Sequence, residues 1–185
     1  MSGGHGHVEH GSNKGIALLI SVLALVLALS ETLGKSYQVA GMAAHIEASN
    51  LWSFFQAKTI RQTTMRTAAE AVQAQFGDGA PESLKKQIDT WKKTAERYQS
   101  EPETGEGRKE LAERAKAAEK KRDKSLAAYH HFEVSPAAVQ IAIVLASASI
   151  ITSIPALVWT AGALGAVGVA FCVIGLWFPT AIHLF

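Results

Sequence analysis

The sequence predicts an all-α integral membrane protein with three transmembrane helices and a helical, coiled-coil-like polar insert between the first and the second. Two features of the 185-residue chain point to this fold class. Residues 134–185 are a run of 52 residues without Asp, Glu, Lys or Arg, which a soluble domain has no reason to contain. The charge is concentrated in residues 35–133, which hold 17 of the 18 basic and 14 of the 16 acidic residues. The single cysteine, Cys172, excludes an internal disulfide.

Residues 15–34 are the first predicted transmembrane helix, and residues 1–14 are predicted to be a disordered His/Gly-rich tail. A secretory signal peptide is the competing interpretation. The apolar run has a suitable length, and Ala28 and Ser30 stand before Glu31 as they would at a cleavage site. We favour a retained helix, because the preceding residues carry only one lysine and so form a weak positive region.

The charge-free block is too long for a single crossing of a membrane. As one helix it would extend about 78 Å at ~1.5 Å per residue, against a hydrocarbon core of about 30 Å. We place a helical hairpin at residues 152–155, which contain its polar interruption and Pro155. The second predicted crossing is 136–154, with Ser135 as the cap and Pro136 at the first helical position. The third is 157–178.

The distribution of basic residues predicts that the insert lies in the cytoplasm. Cytoplasmic segments next to transmembrane helices are enriched in lysine and arginine, and the hairpin tip has neither. The basic residues just before the second crossing are Lys116, Lys120, Lys121, Arg122 and Lys124. We expect Glu31, Lys35, Trp159 and Trp177 at the membrane interfaces, with Glu31 and Lys35 forming an ion pair across one helical turn.

Two turn-rich segments, 77–81 and 100–107, divide the insert into three predicted helices. Apolar residues recur in each helix at intervals of three and four, which is typical of a helical hairpin or small coiled-coil bundle. The stripes contain Leu51, Phe55, Lys58, Gln62, Met65, Ala69, Val72 and Phe76 in the first helix, Leu84, Ile88, Trp91, Ala95 and Tyr98 in the second, and Leu111, Ala115, Ala118, Arg122, Ser125, Tyr129 and Phe132 in the third.

Small residues line one face of each predicted crossing, and such faces allow helices to approach closely in lipid. Whether they pack within one chain or between chains is open at this stage. The faces contain Ala17, Ser21, Ala24 and Ala28 in the first crossing, Ala138, Ala142, Ala146, Ser149 and Ser153 in the second, and Gly162, Ala166 and Ala170 in the third.

Catalytic motifs are absent from the sequence. It has no Gly-rich phosphate loop, no His-Glu-x-x-His and no serine elbow, so we predict no catalytic residue and no cofactor. His5, His7 and His10 could hold a divalent transition metal loosely, because imidazole is a common ligand for such ions. The alternative is a disordered tail without a metal. Nucleic-acid binding is not expected, because acidic residues interrupt the basic cluster and no stacking aromatic residues accompany it.

Three segments of the chain, 16–33, 48–61 and 139–146, together resemble a family of bacterial membrane proteins known as domain of unknown function 4337. The most specific part is 50–61, which reads Asn-x-Trp-x-x-x-Gln-Ala-Lys-x-x-Arg in outline. The resemblance implies a multi-pass protein of the bacterial inner membrane with the same order of span, insert and hairpin. It implies no activity.

The same segment contains the residues that we predict to make an interaction: Trp52, Phe55, Gln56, Lys58 and Arg61. Trp52, Phe55 and Gln56 share one face of a helix. Lys58 interrupts the apolar stripe, and polar groups at such positions commonly set register or oligomer number. We expect a specific helix–helix contact, within the chain or across an oligomer. The alternative is that the segment only packs the membrane-proximal end of the insert.

These observations favour a non-enzymatic inner-membrane protein that self-associates or docks a partner through its helical insert. The alternative is a subunit of an oligomeric pore or channel. The expected partners are the lipid bilayer and either further copies of the chain, in a homo-oligomer, or another membrane protein.

Overall fold

The fold of the chain is all-α, as predicted. A computed structural model describes residues 7–181, and describes side chains for 14–77 and 79–181. Within these residues there are four α-helices and no β-strand. The helices are α1 (His7–Phe76), α2 (Glu82–Gln99), α3 (Arg108–Thr152) and α4 (Pro155–Trp177), and a short 3-10 helix, Gly77–Gly79, follows α1.

Three of these helices are long and apolar enough to cross a membrane. The three candidate segments are Lys14–Phe76, Arg108–Thr152 and Pro155–Trp177. Their number agrees with the three crossings predicted from the sequence. The first helix has 70 residues and begins at His7, so helix replaces the predicted disorder over residues 7–14. Extension of an existing helix adds one hydrogen bond for each residue ordered, whereas starting a separate helix requires a costly nucleus.

The turn between α3 and α4 lies at the predicted hairpin. The last turn of α3 closes where Ser153 N–H donates to the Ser149 carbonyl at 2.9 Å. Ser153 then has a φ of 55°, in the left-handed region, which turns the chain out of the helix. Pro155 follows as the first residue of α4, a position where its missing N–H leaves no hydrogen bond unmade.

The helix start predicted at Ser135 and Pro136 is wrong. The helix does not begin at Ser135 and Pro136, because α3 runs through both from Arg108. Proline removes a single donor, the one that would reach the Phe132 carbonyl, and the bonds on either side continue the helix. Ser135 does not cap a helix end. Its hydroxyl donates to the Gly168 carbonyl of α4 at 2.8 Å.

The chain divides into two compact units. One comprises Met1–Gly41 with Asp123–Phe185 and is called the apolar unit here, and the other, Met42–Arg122, is called the polar unit. The polar unit is therefore shorter at both ends than the insert predicted at 35–133.

The core of the apolar unit is built from small and branched apolar residues of α1, α3 and α4. Its buried residues are Ile16, Leu23, Val139, Ala142, Ala146 and Ala161. Glycine is required at one contact: a Cβ on Gly168 would lie 2.5 Å from a Val139 methyl and 3.2 Å from the Ser135 carbonyl oxygen. The predicted faces of small residues differ in burial. Ala142 and Ala146 of α3 are buried, whereas Ala17, Ser21, Ala24 and Ala28 of α1 are all exposed.

The core of the polar unit uses the predicted stripes of all three helices. Its main cluster contains Ala48, Leu51, Leu111, Ala115 and Ala118, with Trp52 and Phe55 packed against it. From α2, Ile88 and Ala95 are buried. Alanine at so many core positions allows the helix axes to approach closely, in agreement with the helical bundle expected from the periodicity.

Candidate functional site

The most unusual side chain in the polar unit is a buried lysine on α1. Lys58 is 6% exposed, and its ammonium group lies 3.7 Å from a Glu101 carboxylate oxygen and 3.6 Å from one of Glu106. The same group lies 5.4 Å from the centre of the Phe54 ring and 5.2 Å from that of Tyr98. Two carboxylates and two aromatic faces thus surround one cation, which compensates for its loss of water.

A second polar side chain of α1, Gln62, is 2% exposed and fully used in hydrogen bonds. Its amide nitrogen donates to the Ala95 carbonyl at 3.0 Å and to the Gln99 side-chain oxygen at 3.1 Å. Its oxygen accepts a hydrogen bond from the Arg108 guanidinium. Arg108 also donates to Thr59 at 2.9 Å. One buried amide therefore connects α1 to α2 and to the first residue of α3.

Trp52 and Phe55 form the aromatic part of the same face. Their rings meet edge to face with centres 5.4 Å apart, a favoured arrangement for aromatic pairs. The indole N–H of Trp52 donates to a carboxylate oxygen of Glu119 on α3 at 2.9 Å. The Arg108 guanidinium lies over the Phe55 ring at 5.0 Å. Three of the five predicted interaction residues, Trp52, Phe55 and Lys58, are therefore engaged within the polar unit.

The segment 100–107 between α2 and α3 is held by Glu110. The Ser100 hydroxyl donates to one carboxylate oxygen of Glu110 at 2.6 Å, and the backbone N–H of Glu101 donates to the other at 3.1 Å. The hydrogen bond from Ser100 is the main reason why the pKa of Glu110 lies below its ordinary value. Gly107 has to be a glycine, because a Cβ there would lie 2.4 Å from the Glu101 backbone nitrogen.

The other two predicted interaction residues, Gln56 and Arg61, are exposed. They lie outside the packed face of α1. The face directly opposite the core carries Met42, Ile46, Ser53, Ile60 and Thr67, all exposed and all uncharged. We call these five residues the outward stripe.

Sequence reasoning did not identify the outward stripe, although its signal is present. Ile46, Ser53, Ile60 and Thr67 are spaced by seven residues, which is the repeat of a coiled-coil interface. The stripe of the same helix that faces the core, which includes Leu51, Phe55 and Met65, contains larger residues and gave the stronger pattern. Two heptad stripes lie on opposite faces of this helix, and only the burial of their side chains in the structure shows which one faces the core.

The apolar unit contains a buried polar cluster that the sequence did not reveal. Ser30 and Ser135 are buried, with their hydroxyl oxygens 3.2 Å apart. The Cys172 sulfur lies 2.8 Å from the Ser30 oxygen and 3.1 Å from that of Ser135. The Ser30 hydroxyl donates to the Val26 carbonyl of its own helix at 2.7 Å, and that of Ser135 donates to the Gly168 carbonyl of α4. The Cys172 thiol is therefore the donor to a serine oxygen, and these contacts join α4 to its neighbouring helices. Such bonds between helices stabilise packing in lipid.

His131 is a second buried polar residue of this unit, and only 1% of it is exposed. Its Nε2 lies 3.2 Å from the Pro179 carbonyl oxygen, and its ring stacks on Phe171. Because a carbonyl can only accept, Nε2 carries the proton. The Nδ1 atom has no hydrogen-bond partner among the residues described. The hydrogen bond from His131 therefore joins α3 to the segment that follows α4.

The predicted interface residues are exposed, but one predicted contact differs. Glu31, Lys35, Trp159 and Trp177 all have exposed side chains. A carboxylate oxygen of Glu31 accepts a hydrogen bond from the Gln140 amide at 3.4 Å, and in the described part of the chain Glu31 forms no ion pair with Lys35. The prediction of that ion pair is wrong, because Gln140 of α3 offers a donor from a neighbouring helix.

The three histidines predicted as metal ligands have no described side chains. His5 lies outside the described residues, and His7 and His10 belong to the first turns of α1 with side chains outside the described set. Among the residues that are described, no group of three or more His, Cys, Asp or Glu side chains could hold a metal ion.

A comparison with known proteins places the chain in one family. The chain belongs to the family described as a domain of unknown function, DUF4337, whose model matches residues 12–178. The match extends from the second turn of α1 to the residue after α4 and confirms the resemblance seen in the sequence. No curated protein and no solved structure matches the chain.

Proposed function

We propose that this protein is a multi-pass membrane protein that works by non-covalent association and not by catalysis. Its α1, α3 and α4 each cross the bilayer, and its polar unit is a helical module that binds further copies of the chain or a partner membrane protein. The length and apolar character of the three helices support the crossings.

The observation that carries this proposal is the difference between the two faces of α1 in the polar unit. On the inward face the buried polar groups of Lys58 and Gln62 are compensated by neighbouring charges, rings and amides. That face is complete within one chain. The outward stripe has apolar side chains such as Ile46 and Ile60 in contact with solvent. Exposed apolar side chains on a seven-residue repeat are typical of a helix–helix interface.

We further propose that the membrane is the bacterial inner membrane and that the polar unit lies in the cytoplasm. The support is the positive-inside tendency of membrane proteins. Lys116, Lys120, Lys121 and Lys124 are exposed on α3 before its apolar part, whereas the turn between α3 and α4 carries no basic residue.

The size of the protein after mild detergent extraction tests this proposal. We expect a complex heavier than one detergent-bound chain in mass photometry, with mass spectrometry giving its composition. Additional copies of this chain or a stoichiometric second membrane protein both support the proposal. A homogeneous single chain without a partner would contradict it.

A pore or channel formed by several copies is a second candidate, favoured by Glu31 and Gln140. These two polar side chains meet on the exposed surface of the apolar unit, where lipid would be a poor environment for a carboxylate. Burial between copies or contact with a water-filled path would remove that difficulty. Ion flux into liposomes that contain the wild-type protein, lost in Glu31→Gln, would support a channel. Absence of flux in both would leave only the association module.

A further inference from the structure

We propose that the outward stripe of α1 is covered by the same stripe of a second copy, arranged parallel and in register, so that Ile46 meets Ile46 and Ile60 meets Ile60. This inference rests on the proposed function, because it uses the membrane to orient both copies. It specifies the partner of the association module and the residues that meet.

The chemistry of the stripe fits a coiled-coil interface. Ile46 and Ile60 are 57% and 67% exposed, so most of each side chain is available for burial. They lie two residues away from the core positions Ala48 and Lys58, which is about 200° around the helix and therefore on the opposite side. From Ile46 to Thr67 the stripe repeats three times at seven residues and covers about 32 Å of helix.

The occupant is a second copy because the stripe is complementary to itself. Every position of the stripe is uncharged, so two copies placed face to face bring no like charges together. A seven-residue repeat is matched by another helix that has the same repeat and supercoils with it. A copy of α1 supplies that repeat at the required length.

Parallel orientation and equal height follow from anchoring in one bilayer. The first apolar stretch of each α1 crosses the membrane in the same direction, so both copies present residue 46 at the same distance from the lipid. Opposed orientation would require the two copies to be inserted with opposite topologies, which the basic residues of α3 disfavour.

Gln56 has a specific role in this arrangement. It lies three residues after Ser53, where a coiled coil places its second interface position, and it is exposed within one chain. Its amide can donate to and accept from the Gln56 amide of the other copy, since the side chain carries both kinds of group. A polar residue at an interface position penalises shifted registers, because it would then face apolar side chains.

Disulfide formation between introduced cysteines tests the inference. The native thiol is removed with Cys172→Ser, which places a hydroxyl where the thiol contacts Ser30. Ile46→Cys and Ile60→Cys are then introduced one at a time into the full chain. Arg61→Cys is the matched control, because it is exposed on the same helix and adjacent to Ile60 but outside the stripe. Oxidation is carried out in native membranes and read on non-reducing gels.

We expect Ile46→Cys and Ile60→Cys each to shift from the monomer to the dimer band, with Arg61→Cys remaining a monomer under the same oxidation. Co-expression of differently tagged Ile46→Cys and Ile60→Cys chains should give no mixed disulfide, because residues 46 and 60 are about 21 Å apart along the helix. An antiparallel pair centred on Ser53 would instead join 46 to 60, and that product would overturn the inference.

Equal cross-linking at the stripe and control positions would also overturn the proposed in-register pair, and so would the absence of cross-links at all of these positions. The proposed function has a separate outcome. A complex heavier than one chain after mild extraction, without cross-links in the stripe, rejects the in-register pair and leaves the association module standing. A single chain without partners rejects both.

Discussion

The indole N–H of Trp52 donates to the carboxylate of Glu119 at 2.9 Å, which ties α1 to α3 across 67 positions of sequence. The acceptor is a charged group, and such hydrogen bonds are stronger than those between neutral partners. The bond therefore fixes the register of the two helices within the polar unit, beside the cluster formed by Leu51 and Leu111.

Replacement of Trp52 by phenylalanine should lower the stability of the polar unit by about 1.5 kcal/mol, since the hydrogen bond is lost and Glu119 keeps its charge. The unfolding of the full chain in detergent, followed by hydrogen exchange and mass spectrometry of peptides 42–122, measures this. Trp91→Phe is the matched control. This change also replaces a half-buried indole by a phenyl ring, but the N–H of the Trp91 indole has no hydrogen-bond acceptor among the described residues. An equal effect of the two changes would contradict the role of the Glu119 contact.

The environment of Lys58 predicts an asymmetry between two kinds of variant. Lys58→Met removes a buried cation and leaves Glu101 and Glu106, which reach water, so the change in stability should remain within about 1 kcal/mol. The double variant Glu101→Gln with Glu106→Gln leaves the buried ammonium without an anion and should cost about 3 kcal/mol.

Thermal unfolding of both variants in the same detergent measures this difference. The order of the two midpoints is the critical result, and a Lys58→Met protein less stable than the double glutamine variant would contradict our description of the site. Lys86→Met provides a control, because Lys86 is an exposed lysine of α2.

Acid should weaken the segment 100–107 through Glu110. Its pKa is lower in the folded protein than in the unfolded chain, because Ser100 donates a hydrogen bond to the charged form. The stabilisation is therefore complete above the ordinary glutamate pKa and is lost as the pH falls through the lowered pKa of the folded state.

A series of thermal midpoints against pH tests this for the wild type and Glu110→Gln. The wild type should exceed the variant at neutral pH, and the difference should shrink in acid. Glu113→Gln, an exposed neighbour on the same helix, should follow the wild type at every pH. A constant difference between wild type and Glu110→Gln would mean that the charge of Glu110 is not the cause.

The contact of Gly168 with α3 predicts a site-specific cost in the apolar unit. Gly168→Val should destabilise the helix packing by about 2 kcal/mol, because its Cβ would meet a methyl group of Val139 and the Ser135 backbone. Gly162→Val is the matched control, since no atom lies within 4 Å of its Cβ position. Thermal unfolding in detergent, followed by light scattering, measures both, and equal midpoints for the two would refute the close approach at Gly168.

The sequence allowed the helical elements to be predicted because their signals are local. The hairpin at 152–155 follows from a proline in an otherwise uninterrupted apolar block, and the turns of the polar unit follow from clusters of Gly and Pro. The continuation of α3 through Pro136 was missed for a physical reason. Proline is compatible with a helix that continues on both sides of it, so Pro136 marks a position in α3 and not its beginning.

The sites were harder to predict, because they depend on contacts between distant parts of the chain. Nothing in the sequence near Ser30 indicates that it meets Ser135 and Cys172, since these residues come together only when three helices pack. Lys58 could be recognised as a polar residue in an apolar stripe. Its carboxylate partners Glu101 and Glu106 could not, because they lie in a segment without periodicity.

The mass of the assembled protein is the most direct test of association through the polar unit. Mass photometry in mild detergent would compare the wild type with Ile46→Lys combined with Ile60→Lys, and with Thr90→Lys on the exposed face of α2 as a control for added charge. We predict that the wild type and Thr90→Lys have the mass of two or more chains and that the double variant has the mass of one, because lysines at both positions would repel each other across the interface. A double variant with the same mass as the wild type would contradict the account.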